Sequence, residues 1–512
     1  MVNKEKTANN TEAQSVEQTV AALQAQINPE SNRLTEDLTM FSWTLEQLKE
    51  STNGDLIGPL SEENSIRFTS ISTDTRTLQP GALYIAIKGE NFDGHAFIDK
   101  AIQQGAVAVL VSEDVDTVVP GVEVEDTRIA LGQFARWHRL QMPVKTLIAV
   151  TGSNGKTTTK TLLNNIFSLA GNTLATEGNL NNDLGVPRTL LNLRPEHEYA
   201  IIEMGANHLK EIGYLTDLAL PDIAMINNAS GAHLEGFGSL QGVIDTKGEI
   251  YQGLNQIAGR KDGVAIVNTD SPGYQDWLTR LDRLGVKQVI SFGTHPEAKV
   301  RISDFKTLES ESSGISFHLN LPNEKHQVSM PVLGFHNAMN AGACVAVSQA
   351  AGLSWQQILP GLVSFTGVSG RLQKTAINTG WLIDDSYNAN PESVKAGIDA
   401  LVSLPGLAIL CLGAMAEIGE GSAAAHQEIA KFAKDKGVKN LYVYGEEARC
   451  MLEAFGENSQ FFATHEEMAK TVLQQLSEAE QNQQKMNVLV KGSRSARMEL
   501  VSEQVLEAFS QK

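Results

Sequence analysis

Apolar residues gather into short continuous runs that alternate with helix-period stretches from about residue 145 onward. Four runs of four to six residues lie at 146–150, 199–204, 222–227 and 264–267. Runs of this length are expected of parallel strands that are buried on both faces of a sheet. After a linker at 366–370, further strands are predicted near 381–385, 407–412, 441–444 and 488–490. The alternation predicts a central doubly wound sheet followed by a C-terminal Rossmann-like α/β region.

The region before residue 143 has a mixed pattern of short strands and helices. Strands are predicted at 82–87 and 106–111, a helix at 96–104 lies between them, and a helix at 129–140 closes the region. The fold class is therefore α/β with three domains. Their predicted bounds are 40–143, 144–366 and 367–512.

Residues 1–39 form a separate polar extension. They contain no Phe, Trp, Tyr, Cys or Gly, so they offer too little apolar surface to offset the entropy of ordering. We predict a disordered or weakly helical segment. The helical spacing of Val16, Val20, Leu23 and Ile27 leaves open a short amphipathic helix that docks on the body.

Composition narrows the class of protein. The 512 residues carry 41 Lys+Arg against 60 Asp+Glu, a net charge of −19, which argues against a sequence-independent nucleic-acid binder. Three cysteines are too few for a disulfide framework and fit a reducing compartment. No leader pattern and no apolar stretch long enough to span a membrane are present in the sequence. We therefore expect a cytoplasmic protein.

A glycine-containing loop follows the strand at 146–150 and opens a helix. Lys156 and the Thr157 hydroxyl stand where a phosphate loop places its β/γ-phosphate ligand and its Mg²⁺ ligand. The loop is a variant, because only two residues separate its glycines. The alternative is a glycine-rich turn with an exposed lysine, but the strand before and the helix after favour phosphate binding. The predicted phosphate-binding residues are Gly152, Ser153, Asn154, Gly155, Lys156, Thr157 and Thr158.

Two candidate metal ligands lie at strand ends. Glu203 closes the run at 199–204, and His233 lies beyond the run at 222–227. Open α/β sheets bind ligands at the carboxyl ends of their strands, so both side chains could face the phosphate loop. Taken singly, each is more often a surface or core residue.

Several motifs, in order along the chain, resemble those of the Mur ligases, the ATP-dependent amide-forming enzymes of peptidoglycan precursor synthesis. The first region carries DTR at 74–76, PGALYIA at 80–86 and DGHAFI at 93–98. The central region carries TGSNGKTT at 151–158, GNLNNDLGVP at 178–187 and GFHNAMN at 334–340. The last region carries DDSYNANPES at 384–393 and KGSR at 491–494.

The resemblance implies a domain that binds a uridine nucleotide, an ATPase domain and a closing ligase domain. It also implies a reaction in which ATP activates the carboxylate of a UDP-linked muramoyl-tripeptide and D-Ala-D-Ala attacks the acyl phosphate. ATP and two Mg²⁺ ions are then expected, with no nucleic acid and no membrane span, in a monomer.

The resemblance also assigns roles to residues. Lys156, Glu203, His233 and Lys247 are expected to be catalytic, and Thr157, Glu203, His233 and carbamylated Lys247 to ligate metal. Around ATP it implies Asn268, His336, Asn337, Asn340, Arg371 and Asp385. For the substrates it implies Thr75, Arg76, Asn181, Asn182, Asn388, Asn390 and Arg494. One departure is Ala414, where an aspartate is expected, with Glu417 or Glu420 as alternative sources of that acid.

Other functions remain open at this stage. A sister ligase could add a single amino acid to a muramoyl-peptide, or glutamates to folate, although a folate ligase would not need the DGH-containing domain. A P-loop nucleotide switch is a different class, and so is a degenerate binding protein. The segment at 387–391 favours the dipeptide-adding enzyme.

Overall fold

The computed structural model describes residues 41–59, 66–89, 91–231, 234–260, 262–308 and 314–510. The chain divides into two compact units, Met1–Glu125 and Asp126–Lys512. The sequence pattern alone extends the first domain to residue 143. The extension at 1–39, with its Val16–Ile27 stripe, lies outside the described residues.

The first unit is built on a five-stranded sheet of order β2-β7-β6-β5-β4, in which only β2 runs antiparallel to its neighbour. The predicted strands at 82–87 and 106–111 are its buried centre. A two-stranded ribbon of β1 and β3 accompanies the sheet. The elements are β1 Trp43–Thr44, α1 Leu45–Thr52, β2 Asp55–Ile57, β3 Arg67–Phe68, β4 Ser70–Ser72, β5 Ala82–Ile85, α2 Ile98–Gln103, β6 Ala108–Val111 and β7 Gly121–Glu123.

The second unit begins with a helix and a nine-stranded sheet. Its elements are α3 Thr127–Gln141, β8 Thr146–Thr151, α4 Lys156–Ser168, β9 Thr173–Ala175, α5 Gly185–Leu190, β10 Tyr199–Glu203, α6 Glu211–Ala219, β11 Ile223–Ile226, α7 Leu234–Phe237, α8 Leu240–Gly248, β12 Val264–Asn268, α9 Tyr274–Arg283, β13 Gln288–Gly293, β14 Val300–Leu308, β15 Gly314–Asn320, β16 Lys325–Met330, α10 Phe335–Ala350 and α11 Trp355–Val363.

Strand order fixes where this sheet can bind a ligand. The order is β16-β15-β14-β13-β12-β11-β8-β10-β9, parallel from β14 to β9. The chain leaves β8 toward one edge and returns to its other side with β11, so the direction of winding reverses at β8. A crevice opens at the carboxyl ends of strands at such a switch point, which places the phosphate loop, Glu203 and the residues after β11 together.

The outer strands β14, β15 and β16, which are antiparallel to one another, were not predicted from the sequence. They pair as a meander at one edge of the sheet, and β16 alternates exposed or half-buried residues with buried ones near its end. Antiparallel strands with one solvated face lack the continuous apolar run of the parallel strands.

The C-terminal part of the second unit is a separate six-stranded sheet. Its order is β17-β18-β22-β19-β20-β21, and all pairs except β17–β18 are parallel. All four strands predicted here are present. The elements are β17 Gln373–Ile377, β18 Gly380–Asp385, α12 Pro391–Val402, β19 Leu407–Gly413, α13 Ser422–Asp435, β20 Asn440–Tyr444, α14 Met451–Phe455, β21 Ser459–Phe462, α15 His465–Gln481, β22 Met486–Lys491 and α16 Glu499–Ser510.

Apolar side chains are buried on both faces of the C-terminal sheet, in two clusters. The predicted α/β class is therefore confirmed. Among the helices in the described ranges, none is both long and apolar enough to cross a membrane.

Candidate functional site

The phosphate loop connects β8 to α4 and depends on two glycines. Gly152 and Gly155 have φ of 153° and 78°, in the region that side chains disfavour. A Cβ on Gly155 would lie 2.5 Å from Asn227 Nδ2. The backbone N–H of Asn154 donates to Asn228 Oδ1 at 2.9 Å, which anchors the loop to the end of β11. The predicted residues from Gly152 to Thr158 thus share one turn at a helix N-terminus, a ready anion site.

Lys156 folds back over this turn. Its Nζ donates to the carbonyl of Gly152 at 2.8 Å. Burial lowers the pKa of Lys156, with the Arg371 guanidinium adding to the effect and Glu203 opposing it. A half-buried ammonium favours an anionic partner, so the site is suited to a phosphate group.

Glu203 lies beneath the loop at the end of β10 and is 1% exposed. Its Oε1 accepts hydrogen bonds from Thr157 Oγ1 at 3.2 Å and from Asn181 Nδ2 at 2.8 Å. Its other oxygen, Oε2, is buried and has no hydrogen-bond partner in the described part of the chain. A buried carboxylate oxygen without a partner is costly, and this one lies beside a hydroxyl. The pair fits a hard divalent cation such as Mg²⁺, which prefers oxygen ligands.

Lys247 lies near the end of α8 and is 2% exposed. Burial, together with repulsion from Lys156, lowers the pKa of Lys247 to about 7. Its Nζ lies 5.2 Å from the centre of the Phe237 ring. A large fraction of this amine is therefore uncharged near neutral pH. His233, the other predicted ligand, lies outside the described residues.

Asn227 is a central residue of the site that the sequence analysis missed. Its Nδ2 donates to the carbonyl of Asn154 at 3.1 Å and to Asn340 Oδ1 at 3.0 Å. Its Oδ1 accepts from Thr159 Oγ1. The signal was available, because Asn227 is the last residue of the run at 222–227, whose end was predicted to lie at the crevice.

The predicted adenine-side residues converge on Asn227. Asn268 Nδ2, at the end of β12, donates to the carbonyl of Asn227 at 2.7 Å. Asn340 Nδ2 donates to Asn337 Oδ1 at 3.2 Å within the first turns of α10. His336 precedes them on the same helix, and burial lowers its pKa to about 4. This imidazole is therefore neutral at physiological pH.

Arg371 joins the linker to the phosphate loop. Its Nη2 donates to Thr157 Oγ1 at 3.0 Å, and its guanidinium lies 4.2 Å from the centre of the Tyr387 ring. Stacking on an aromatic face holds a guanidinium in place. The Thr157 hydroxyl therefore lies between a cation and the Glu203 carboxylate.

Asp385 is the last residue of β18 and pairs with Lys491. Lys491 belongs to the KGSR motif, but no role was predicted for it. Lys491 Nζ lies 2.6 Å from Asp385 Oδ2 and also donates to the carbonyl of Asn388 at 2.9 Å. Burial raises the pKa of Asp385, while Lys491 opposes the shift. The backbone N–H of Leu372 donates to Asp385 Oδ1, so this pair ties the linker to the C-terminal sheet.

Asn390 connects the C-terminal sheet directly to the phosphate loop. Its Nδ2 donates to Asn154 Oδ1 at 2.7 Å. Its Oδ1 also caps α12 by accepting from the backbone N–H of Ser393. One side chain therefore supports both a helix start and a contact across 236 residues of chain.

The remaining predicted substrate residues lie in three places. Asn182 Oδ1 accepts from the backbone N–H of Gly185, the first residue of α5, and Arg494 pairs with Glu499 at 3.1 Å in the C-terminal region. Thr75 is buried in the first unit, where its neighbour Arg76 is exposed and pairs with Asp74. These residues are not joined by hydrogen bonds to the phosphate loop within the described ranges.

Family models match three consecutive parts of the chain. The model described as "Mur ligase family, catalytic domain" matches residues 67–139. The one described as "Mur ligase middle domain" matches 150–348, and the one described as "Mur ligase, glutamate ligase domain" matches 370–494. The matches follow the order of the domains predicted from the sequence.

Whole-chain relatives agree with these matches. The chain is 42% identical over 463 residues to the UDP-N-acetylmuramoyl-tripeptide--D-alanyl-D-alanine ligase of Escherichia coli K12, covering 90% of this chain and 98% of that protein. A crystal structure of MurF from Acinetobacter baumannii has a TM-score of 0.83 at 34% identity, covering 92% and 100% of the two chains. MurF from Thermotoga maritima in complex with ADP has a TM-score of 0.75 at 25% identity, covering 86% and 98%.

Proposed function

The chain belongs to the Mur ligase family, and we propose that it joins D-alanyl-D-alanine to UDP-N-acetylmuramoyl-tripeptide while ATP is split into ADP and phosphate. The similar ligase of Escherichia coli carries this activity in its name. The observation that carries the proposal in the structure is the unpartnered Glu203 oxygen, buried beside Thr157 at the phosphate loop.

The chemistry requires activation before amide formation. A carboxylate oxygen of the tripeptide attacks the γ-phosphorus of ATP, so an acyl–phosphate bond forms and ADP leaves. The amine of the dipeptide then attacks the acyl carbon, loses a proton, and phosphate leaves from the tetrahedral intermediate. The protein mainly aligns the reactants and stabilises charge on the transferred phosphoryl group.

Different residues of the site would bind different parts of ATP. Lys156 would leave the Gly152 carbonyl to pair with the transferred phosphoryl group, because a phosphate oxygen is a stronger acceptor for an ammonium. The backbone N–H groups at the start of α4 would hold the remaining phosphate oxygens. Asn268, His336, Asn337 and Asn340 would receive the adenosine end, with His336 as a neutral hydrogen-bonding ring.

Magnesium fits the donors that the chain presents. Glu203 and Thr157 would hold one ion, and His233 and a carbamylated Lys247 are proposed for a second. The bound ions would supply neutralisation of phosphate charge. Arg371, which donates to Thr157, would contact the nucleotide when the C-terminal sheet closes. The pair of Asp385 and Lys491 would support that linker.

Lys247 is proposed to carry a carbamate. Its uncharged amine would attack CO₂ and lose a proton, which turns a cation into a carboxylate on a long arm. A pKa near 7 supports this step, because only the neutral amine is nucleophilic. The carbamate would be lost as the pH falls below 7 and the amine is protonated.

The substrate ends are assigned to separate regions. Thr75 and Arg76 are proposed for the uridine diphosphate, and Asn181 and Asn182 for the muramoyl-peptide. Asn388, Asn390 and Arg494 are proposed for the dipeptide, whose carboxylate a guanidinium can bind. We also propose a cytoplasmic monomer. The free thiols of Cys344, Cys411 and Cys450 support a reducing compartment.

Initial rates of ADP formation test the activity. The full chain is assayed with ATP, Mg²⁺ and UDP-muramoyl-tripeptide, with D-Ala-D-Ala, D-Ala or L-glutamate as acceptor. We expect turnover with the dipeptide alone. Turnover with a single amino acid but not with the dipeptide would show a sister ligase. ATP hydrolysis without any acceptor, stimulated by a protein, would show a nucleotide switch.

The carbamate is tested by replacing its lysine. Lys247→Ala should abolish turnover, bicarbonate should not restore it, and short carboxylic acids should partly restore it by replacing the lost ligand. In ¹³C NMR, labelled bicarbonate should give a carbamate signal with the wild type and none with the variant. Lys145→Ala, a surface control, should keep both signal and activity, and full activity of Lys247→Ala would remove this lysine from the metal site.

A further inference from the structure

His426 is a buried histidine that has no assigned role in the proposed reaction. It lies on α13, is 0% exposed, and contacts both ends of the loop that joins β19 to this helix. Its Nε2 accepts from the backbone N–H of Met415 at 2.9 Å. Its Nδ1 lies 2.7 Å from the carbonyl oxygen of Ser422. The ring therefore bridges residues seven positions apart across the loop.

The two backbone partners determine the protonation of the ring. An amide N–H can only donate and a carbonyl oxygen can only accept, so Nε2 is unprotonated and Nδ1 carries the hydrogen. Burial lowers the pKa of His426, in agreement with this neutral tautomer. An imidazolium could not accept from Met415, and the bridge would be lost.

The loop between Met415 and Ser422 contains residues in the left-handed region, which the contacts of His426 can stabilise. Glu417 has φ of 61° although it is not glycine, and Gly419 has φ of 74°. A left-handed residue with a long side chain costs free energy and persists only where surrounding contacts hold it. His426 fixes the backbone on both sides of these two residues.

The loop lies at the carboxyl ends of the parallel strands of the C-terminal sheet, the position at which open α/β sheets bind ligands. It follows the carboxyl end of β19, and β22 is the neighbouring parallel strand. Ser493, which follows β22, donates through Oγ to the carbonyl of Ala414 at 2.6 Å. Its neighbour Arg494 is exposed on the same edge. A short chain of contacts thus leads from His426 through the loop to Arg494.

We infer that His426 is a positioning residue for the acceptor dipeptide, and that the loop from Ala414 to Gly419 forms one wall of the dipeptide site. This inference rests on the proposed function. In it, the neutral ring sets the backbone of the loop, and the loop holds the Ser493–Arg494 turn that receives the terminal carboxylate.

Two conservative variants separate the hydrogen bond with Met415 from the hydrogen bond with Ser422. In His426→Gln the amide oxygen can reach the former position of Nε2 and accept from Met415. In His426→Asn the shorter amide can donate to Ser422 and leaves the Met415 N–H without a partner. We expect KM for D-Ala-D-Ala to rise at least tenfold in His426→Asn and His426→Ala and to stay within threefold in His426→Gln. KM for ATP should change less than twofold in all three.

Folding is checked by a partial reaction. Exchange of labelled ADP into ATP in the presence of UDP-tripeptide alone needs the phosphate loop but no dipeptide, so it should survive in each variant. His326→Gln, at the antiparallel edge of the central sheet, serves as a control and should leave every KM unchanged. If the wild type shows no dipeptide-dependent turnover, the proposed function fails. If the wild type is active and His426→Asn has an unchanged KM for the dipeptide, or if all KM values rise together, this inference alone is overturned.

Discussion

At the scale of single residues, the Glu203 carboxylate shows how burial and charge define the site. One oxygen is fully engaged by Thr157 and Asn181, whereas the other is buried without a partner. A protein does not keep an unsatisfied carboxylate oxygen for stability, because its desolvation is unfavourable. We therefore propose that Glu203 serves a ligand that brings positive charge.

Glu203→Gln tests this interpretation with almost no change of shape. The amide oxygen can still accept from Asn181 and Thr157, but the negative charge is lost. We expect kcat to fall about 100-fold, equivalent to about 2.7 kcal/mol. The Mg²⁺ concentration that gives half of the maximal rate should rise. The thermal midpoint should not decrease, because a buried charge has been removed. The measurement is ADP formation against Mg²⁺ concentration.

Glu177→Gln is the matched control for this charge. Glu177 is exposed in the segment after β9, near the same loop, so its replacement should leave the Mg²⁺ dependence unchanged. Wild-type rates for Glu203→Gln at wild-type Mg²⁺ concentrations would contradict a metal-ligating role for Glu203.

At the scale of elements, helix α3 is tied to the central sheet by buried basic side chains. Arg139, 1% exposed, donates to the carbonyl of Ala219 at 3.0 Å. His138 Nε2 lies 3.0 Å from the carbonyl oxygen of Leu193. Burial lowers the pKa of His138 to about 4. The helix therefore packs with the second unit.

This pKa predicts a pH-dependent stability. Unfolded His138 binds a proton below about pH 6.5, whereas the folded side chain stays neutral down to about pH 4. The unfolded state thus binds more protons between these values, so stability is complete above pH 6.5 and is lost as the pH falls toward 4. A shift of this size corresponds to at most about 3 kcal/mol.

His138→Gln should remove that part of the pH dependence, because glutamine can still donate to Leu193 but does not titrate. Thermal midpoints of wild type and variant are measured between pH 7.5 and 4.5. The gap between them should narrow or reverse as the pH falls. His208→Gln, an exposed control, should follow the wild type, and parallel curves for His138→Gln would show that this histidine is not protonated on unfolding.

The elements also show how far the sequence predicts this fold. The parallel strands β8, β10, β11 and β12 were predicted because burial on both faces leaves a continuous apolar run. The strands β14 to β16 were not, because polar residues interrupt their apolar ones and no continuous apolar run remains. Within the site, Glu203 could be predicted from its place at a strand end. The role of Asn227 depends on which strands become neighbours, and hydrophobic periodicity does not determine this.

At the scale of the whole molecule, the contacts between the C-terminal sheet and the phosphate loop are few and polar. Arg371 reaches Thr157, and Asn390 reaches Asn154. Contacts of this kind are weak enough to break and re-form in each catalytic cycle, as a closing domain requires. The sequence alone could not predict these two contacts, because each joins residues more than 200 positions apart.

Asn390→Asp tests whether this connection serves catalysis. The carboxylate can still cap α12 through Ser393, so stability should be retained. The amide donor is lost, however, and a negative oxygen would face Asn154 Oδ1. The lost hydrogen bond and the new repulsion amount to about 1.4 kcal/mol, so kcat/KM for ATP should fall about tenfold. ADP binding, in which Asn390 has no proposed role, should change less than twofold.

When D-Ala-D-Ala, for which Asn390 is also proposed, is saturating, the comparison of turnover with ADP binding isolates the contact between domains. A fault in the phosphate loop itself would weaken both quantities together, whereas a fault in closure affects turnover alone. Asn482→Asp, an exposed site at the end of α15, adds the same charge to the same sheet and should leave both unchanged. An Asn390→Asp enzyme with wild-type kcat/KM would mean that the contact of Asn390 with Asn154 does not contribute to catalysis. Closure would then depend on the contact of Arg371 with the Thr157 hydroxyl.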